Sequence, residues 1–426
     1  MTDVLRGLLG LTVLVLIGIA LSENRGAIRP RVVLSALALQ VAIGALVLFV
    51  PWGRIALGAA AAAVNHVIAY GNKGMEFLFG GLVTAKMLEV FGDTGFVFAF
   101  RVLPAIIYVS ALIAVLYHLG VMRWIVVALG FVFQRLLGVS KIESFSAVTT
   151  IFLGQSEMPA ALRPFAAQLR GSELFAVMTS GMAAVAGSML AGYVGLGVKL
   201  EYLLAASFMA IPGGLLFAKL ICPTSEPSTI EFDNLHFEEH PSTNVIEAAA
   251  AGAAVGLRVA VNVGAMLIAF IGLIALLNGI VGGVMGWFSH PDLTLETLVG
   301  YLFAPLAWLI GVPWGNSGIA GNLIGQKLIA NEFVGYVAFA PYLQDYPTAA
   351  AAGRAVLDAK TMVIVSFALC GFANFSSIAI LVGGFGAVAP GLRSQVARYG
   401  LRVVAAGSLS NLTSATIAGA LLGSHT

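Results

Sequence analysis

Two clusters of polar side chains stand inside strongly apolar stretches of this chain, one in each half. Residues 154–161 (GQSEMPAA) carry an amide, a hydroxyl and a carboxylate directly after the uncharged run 147–153. The second cluster ends in residues 331–333 (NEF). A carboxylate in a membrane-spanning segment is costly unless it faces a partner or a water-filled cavity. Glu157 and Glu332 are therefore the first candidates for functional residues.

A third polar group, residues 371–377 (GFANFSS), places Asn374 and Ser377 on one face of a helix, since residues three apart are neighbours there. The amide and hydroxyl of Gln155 and Ser156 can donate to and accept from the edge of a nucleobase, while carboxylates accept from hydroxyl groups. Lys and Arg are absent from these clusters, which disfavours phosphate or carboxylate ligands. The pattern favours a neutral ligand with hydroxyls and a planar polar ring. A purely structural role in linking helices is the alternative for Asn374 and Ser377.

The composition predicts an all-α polytopic membrane protein. Hydrophobic residues make up 59% of the 426 residues and charged residues 10%, whereas a soluble domain carries about 25% charged residues. A chain of this length holds roughly eight to ten spans of about 20 residues. The net charge of +2 gives no indication of a nucleic-acid partner, and two cysteines indicate no disulfide framework.

Two segments read as re-entrant hairpins, which are tolerated only where protein or water covers the backbone. They are residues 141–168, broken at Gly154 and Pro159, and residues 298–343, rich in Gly and Pro. Each precedes an interrupted helix and a final helix, which indicates an internal repeat with a ligand site near the midplane. We expect interfacial helices within 55–88 and at 121–137. Spans are expected at 7–21, 32–50, 102–119, 174–197, 203–221 (interrupted by Pro212-Gly213-Gly214), around 259–286, at 360–390 and at 399–422.

The arginines predict the orientation. Arg25, Arg29 and Arg31 mark the loop 22–31 as cytoplasmic, and Arg393 and Arg398 mark the segment before the last span, so both termini should lie outside. The acidic loop 223–244 reads as a solvated connection between the halves. Its His236 and His240 stand four residues apart, but a loop rich in Ser and Pro disfavours a metal site.

The sequence also bears on three other classes of membrane protein: primary pumps, intramembrane proteases, and passive channels or symporters for other solutes. The chain has no G-x-x-x-x-G-K-[ST] sequence for a primary pump, and neither G-x-S-x-G nor H-E-x-x-H for an intramembrane protease, so we expect no enzyme. A passive channel, or a symporter for another neutral polar solute, is the alternative function that we retain for this chain.

Residues 152–157, 324–334 and 368–377 resemble the motifs of the concentrative nucleoside transporters, and the likeness extends from about residue 71 to 420. The resemblance implies cation-coupled uptake of nucleosides such as uridine across the inner membrane, without an organic cofactor. It also implies a homotrimer embedded in lipid, with eight transmembrane helices, two re-entrant hairpins and both ends outside. Each protomer would work as an elevator. Residues 1–138 would be mainly scaffold, 139–222 and 298–426 the two transport repeats, and 223–297 the acidic loop with a long scaffold helix.

The resemblance also implies roles for single residues. The base would be bound by Gln155 and Ser156, at the hairpin glycine Gly154, with Glu157 acting through water. Met189 and Phe372 would border the base. The ribose hydroxyls would be held by Glu332, Asn374 and Ser377.

The ion site departs from the pattern of the sodium-coupled members. They have an asparagine four residues before the hairpin glycine and a hydroxyl on the next helix, where this chain has Thr150 and, by ungapped counting, Ala184. Carbonyls near Leu153 and Val185 could remain, but one of two side-chain oxygens is lost. The coupling cation could be H+ or Na+. We expect a proton gradient to drive transport with weak dependence on sodium, since burial favours protonation of carboxylates.

Overall fold

The computed structural model describes residues 3–84, 86–91, 96–226, 228, 230, 242–287, 293–343 and 356–422. Within these ranges the regular elements are all helices, which agrees with the predicted class. The helices of the first half are α1 (Asp3–Ala20), α2 (Pro30–Leu48), α3 (Pro51–Phe79), α4 (Lys86–Phe91), α5 (Phe98–Arg101), α6 (Leu103–His118), α7 (Val121–Leu137), α8 (Lys141–Thr149), α9 (Met158–Ala161), α10 (Arg163–Ala166), α11 (Gly171–Ala183), α12 (Gly187–Gly195) and α13 (Leu200–Ile221).

The second half begins with the longest helix, whose 42 residues extend about 63 Å, roughly twice the thickness of the hydrocarbon core. Short 3-10 helices occur at Arg25–Ala27, Gly80–Val83, Ala340–Leu343 and Pro390–Leu392. The acidic stretch with His236 and His240 lies outside the described residues. The helices are α14 (Val245–Gly286), α15 (Leu295–Leu309), α16 (Trp314–Ile329), α17 (Glu332–Phe339), α18 (Ala359–Leu369), α19 (Phe375–Val388) and α20 (Arg393–Leu422).

Five of the described helices are long and apolar enough to cross a membrane, or up to six if the bent pair α15 and α16 forms one span. The expected number of eight spans stays a prediction. The final helix α20 is long, but its polar side chains lower its hydropathy; Ser410, Asn411 and Thr413 are buried by neighbouring helices. A span surrounded by protein can carry such groups, because it does not face lipid.

Two predictions about individual helices were wrong: an interruption at Pro212 and the first residue of the last helix. Pro212 does not interrupt α13, which runs unbroken from Leu200 to Ile221. The adjacent glycines serve close packing instead: a Cβ at Gly213 would lie 2.5 Å from the hydroxyl of Ser410. The last helix begins at Arg393 rather than at residue 399, so the arginines that were assigned to a preceding loop belong to its first turns.

The helices pack in two groups. Helix α6 packs along α14, whereas α1 and α2 pack against α13 and α20, together with α11 and α18. The second predicted hairpin, residues 298–343, covers most of α15 together with α16 and α17; α15 and α16 pack closely on each other across a bend of 115°, and α17 packs on α16. The division into scaffold and transport segments stays a prediction, and the first two helices contact helices of the segments assigned to transport.

Two helices are broken as the repeat pattern predicted. The first break separates α11 from α12 after Ala183, and the second separates α18 from α19 after Leu369. Asn411 of α20 bridges them, because its amide donates to the carbonyls of Ala183 (2.6 Å) and Cys370 (2.9 Å). Gly371 permits this approach, since a Cβ there would lie 2.2 Å from the side-chain oxygen of Asn411. The ends of α11, α12, α18 and α19 at these breaks therefore lie close to one another.

Candidate functional site

A cavity of about 170 Å³ lies between the broken helices, the segment 154–157 and one side of α14. Every residue that was expected to contact the base or the ribose lines it. These residues are Gly154, Gln155, Ser156, Glu157, Met189, Glu332, Phe372, Asn374 and Ser377. They come from four separate segments of the chain, so only the tertiary structure brings them together.

Asparagine caps position the second half of the cavity. Asn331 accepts from the backbone N–H of Val334 at 2.9 Å and begins α17, and Asn374 accepts from that of Ser377 at 2.9 Å and begins α19. Asparagine favours this position because its short side chain satisfies an N–H group that lacks a partner within the helix. The caps therefore direct both helix N-termini, and the first residue Glu332, toward the cavity.

The carboxylate of Glu332 is held on both sides. Its Oε1 accepts from the hydroxyl of Tyr193 at 3.1 Å, and its Oε2 accepts from the amide of Asn374 at 3.2 Å. Only 4% of Glu332 is exposed. A carboxylate has about four lone-pair sites, so each oxygen can still accept from a ligand hydroxyl.

Gln155 is oriented by a chain of hydrogen bonds. The hydroxyl of Ser377 donates to the carbonyl of Phe372 at 2.6 Å, so it accepts from the Nε2 of Gln155, also at 2.6 Å. This leaves the Oε1 of Gln155 buried and without a partner among the described residues. A buried amide oxygen of this kind can accept from an N–H of a ligand at little cost, whereas leaving it unpaired is unfavourable.

The remaining residues of the first segment are less constrained. Ser156 is exposed and Glu157 is half-buried, with its Oε2 accepting from the backbone N–H of Gly154 at 3.2 Å. Met189 in α12 is half-buried as well. These side chains can adapt to a ligand, while Gln155, Glu332 and Asn374 are pre-positioned.

Sequence reasoning missed three supporting residues. Tyr193 orients Glu332, and Lys327 donates to the carbonyl of Ala368 (2.9 Å) and to the side-chain oxygen of Asn411 (2.7 Å). Lys327 is fully inside the protein and does not line the cavity. An isolated Lys, Tyr or Asn in an apolar stretch is a signal for such partners, but the sequence does not say which groups meet.

The wall formed by α14 was also missed. Val259, Asn262, Val263 and Met266 line the cavity from this helix, at the spacing of a single helical face. Asn262 is the one polar side chain in α14 between Arg258 and Asn278, a signal that the sequence did offer.

The four residues considered for a sodium ion lie on two segments that touch, since a Cβ at Gly187 would lie 3.4 Å from the carbonyl of Ile151. Thr150 donates its hydroxyl to the carbonyl of Ala147 at 2.8 Å, and the carbonyl of Ala184 accepts from the N–H of Phe372 at 3.3 Å. Leu153 and Val185 contribute no side-chain oxygen. Thr150 thus supplies the single side-chain oxygen of this set, which fits a sodium ion poorly.

Comparisons with known proteins give concordant results. Family models described as "Na+ dependent nucleoside transporter C-terminus" and "N-terminus" match residues 202–419 and 9–82, and one described as "Nucleoside recognition" matches residues 99–199. The chain is 55% identical over 422 residues to an "Uncharacterized transporter" of Haemophilus influenzae, covering 99% of this chain and 98% of the relative. It is 46% identical over 415 residues to "Nucleoside permease NupC" of Helicobacter pylori, covering 97% of each chain.

Among solved structures, CNTnw in an inward-facing substrate-bound state has a TM-score of 0.94 and 54% sequence identity, covering 100% of this chain and 99% of that chain. A doubly substituted variant of CNTnw has been solved in an outward-facing state, and its structure also matches with a TM-score of 0.94. The likeness covers the segments that line the cavity as well as the helices around it.

Proposed function

Because the chain belongs to the Na+ dependent family of concentrative nucleoside transporters, we propose that it is a cation-coupled symporter that imports nucleosides such as uridine. It is a multi-pass membrane protein of a family of transporters, not of enzymes. One observation carries the proposal. Four separate segments bring two carboxylates, two amides and hydroxyls to one cavity between broken helices, an arrangement that suits a neutral polar ligand.

The polar groups that line the cavity suit the two parts of a nucleoside. The unpartnered oxygen of Gln155, with Ser156 beside it, would accept from the base, and Phe372 and Met189 would border the ring. The carboxylate of Glu332, with Asn374 and Ser377, would hold the ribose hydroxyls. Glu157 would reach the base through water.

The transport cycle would follow an elevator mechanism. The pair α6 and α14 would form the fixed support, and the segments around the cavity would move as one body carrying the nucleoside. This is supported by the separate packing of α6 on α14 and by the inward-facing and outward-facing states of CNTnw. We further propose a homotrimer in the inner membrane, with both termini outside.

The coupling cation is proposed to be a proton, with weak or absent dependence on sodium. The candidate ion residues offer one side-chain oxygen, whereas a hard cation prefers several close oxygen ligands. The carboxylates of Glu157 and Glu332 line the cavity and can carry a proton with the nucleoside.

Uptake of radiolabelled uridine into vesicles tests both points, with pH and sodium gradients varied separately at fixed membrane potential. Accumulation that follows the pH gradient supports the symporter and its proton coupling. Equilibration without accumulation would indicate a passive channel, and no uptake of uridine would indicate another polar solute. Steep dependence on sodium without response to pH would contradict proton coupling while leaving nucleoside symport in place.

A further inference from the structure

The cavity has one polar wall residue on the helix that is proposed to stay fixed. Asn262 of α14 lines it between the apolar side chains of Val259, Val263 and Met266. Asn262 is exposed and makes no hydrogen bond with any of the described residues. An amide without partners is unfavourable in a helix as apolar as α14 unless something polar faces it.

We propose that Asn262 is a nucleoside-binding residue whose amide hydrogen-bonds the bound nucleoside from the helix proposed to stay fixed, and does so only in the arrangement of this structure. The inference rests on the proposed function. The amide supplies both donors and an acceptor, so it suits the polar edge of a nucleoside. The other residues assigned to the nucleoside belong to the moving segments and would accompany it.

A neighbouring cavity explains why the contact depends on the arrangement. This cavity of about 220 Å³ shares Glu157 and Ser188 with the nucleoside cavity, and its α14 wall is formed by Gly252 and Val255. Gly252 lies ten residues before Asn262, about 15 Å along the helix axis. A nucleoside carried toward the neighbouring cavity loses Asn262, because no side chain spans that distance.

The consequence is a difference in affinity between arrangements. A ligand shifts a conformational equilibrium only by as much as its affinity differs between the states. The additional hydrogen bond from Asn262 therefore makes the nucleoside favour the present arrangement, while the contacts within the moving segments contribute equally to all of them.

A disulfide can lock the arrangement for a test. A Cβ at Gly195 in α12 would lie 3.9 Å from the Cβ of Val102 at the start of α6, within the usual separation for a disulfide. The double variant Val102→Cys, Gly195→Cys links the moving segments to the fixed pair. Uridine binding to the locked, purified protein is then measured by calorimetry, with and without Asn262→Leu, which has a similar size but no hydrogen-bonding group.

We expect Asn262→Leu to weaken uridine binding to the locked protein by about three- to tenfold, the effect of losing one neutral hydrogen bond. The matched control is Val261→Ala, the adjacent exposed residue of α14 that does not line the cavity, and it should change the affinity less than twofold. In the unlocked cysteine pair, saturating uridine should speed formation of the disulfide, and Asn262→Leu should reduce that acceleration. A purely structural role would not change this response to uridine.

Unchanged affinity of the locked Asn262→Leu protein, or an undiminished response to uridine, would overturn the inference. The inference would also be overturned if the unlocked protein binds uridine and the locked protein does not, because the locked arrangement would then not be the one that binds uridine. A different result would contradict the proposed function itself. If neither the locked nor the unlocked protein with Asn262 intact binds uridine, uridine is not a ligand of this site, and the inference about Asn262 is wrong as well.

Discussion

At the scale of single residues, the site combines fixed and adaptable groups. Gln155, Glu332 and Asn374 are buried and oriented by protein partners, while Ser156 is exposed and Glu157 is only half-buried. Pre-positioned polar groups lose little freedom when a ligand binds, so they give more affinity per hydrogen bond than mobile ones. Substitutions at the oriented residues should therefore have the larger effects.

The first prediction concerns Glu332→Ala. Loss of a hydrogen bond to a charged group costs about 1.5–3 kcal/mol, so uridine binding should weaken at least about tenfold. Deoxynucleosides should lose less, because they lack one of the hydroxyls that the carboxylate would accept from. Calorimetry on folded protein measures both. Glu201→Ala, at an exposed carboxylate in the first turn of α13, is the control and should bind normally. Unimpaired uridine affinity of Glu332→Ala would remove this residue from the site.

The second prediction compares Gln155→Ala with Ser156→Ala. Gln155 has an unpartnered buried oxygen and donates to the hydroxyl of Ser377, so its loss removes an acceptor for the base and leaves that hydroxyl with only the carbonyl of Phe372 as a partner. Ser156 is exposed and water can replace it. Gln155→Ala should reduce uridine affinity more than Ser156→Ala, by equilibrium binding. Equal affinities for the unsubstituted protein and Gln155→Ala would mean that Gln155 only stabilises the segment.

Among the helices, α16 and α20 stabilise the two helix breaks through one polar side chain each. Lys327 and Asn411 occupy the carbonyl ends of α11 and α18, where the C-terminal ends of helices carry partial negative charge. This arrangement fixes the ends from which α12 and α19 begin. We therefore expect nucleoside binding to depend also on residues that do not line the cavity.

Gly371→Ala tests this arrangement. The new Cβ would collide with Asn411, which is bonded to two carbonyls and to Lys327 and cannot move without losing them. Overpacking of this kind costs about 1–3 kcal/mol, so thermal unfolding in detergent should occur at a lower temperature. Gly383→Ala in α19 has open space around the new Cβ and should be neutral or slightly stabilising. Equal stability of the two variants would show that Asn411 can relax.

For the molecule as a whole, the proposed transport cycle requires relative motion of the two helix groups. The pair α6 and α14 contacts the segments that are proposed to move through α12 and α17, and the cavity lies along this boundary. A static cavity of this type would bind a nucleoside but would not release it on the other side. The proposed motion can therefore be tested by an experiment that measures transport and ligand binding separately.

The disulfide lock between Val102→Cys and Gly195→Cys should abolish uridine uptake into vesicles while preserving uridine binding. Reduction of the disulfide should restore uptake, and each single cysteine variant should transport normally. The reason is that a covalent link across the boundary prevents any sliding of α12 past α6. Full uptake by completely cross-linked protein would exclude an elevator across this boundary.

The class of the protein and most residues of the cavity could be predicted from the amino-acid sequence. The apolar composition and the polar clusters are local features, and Glu332, Asn374 and Gln155 could be identified from them and from the family resemblance. The partners of these residues become visible only in the folded structure. Tyr193 is 139 residues from its partner Glu332, and Lys327 is 84 from Asn411. Such pairs are set by helix packing, as are the continuity of α13 through Pro212 and the place of Asn262 in the cavity wall, because no local pattern specifies which distant faces meet.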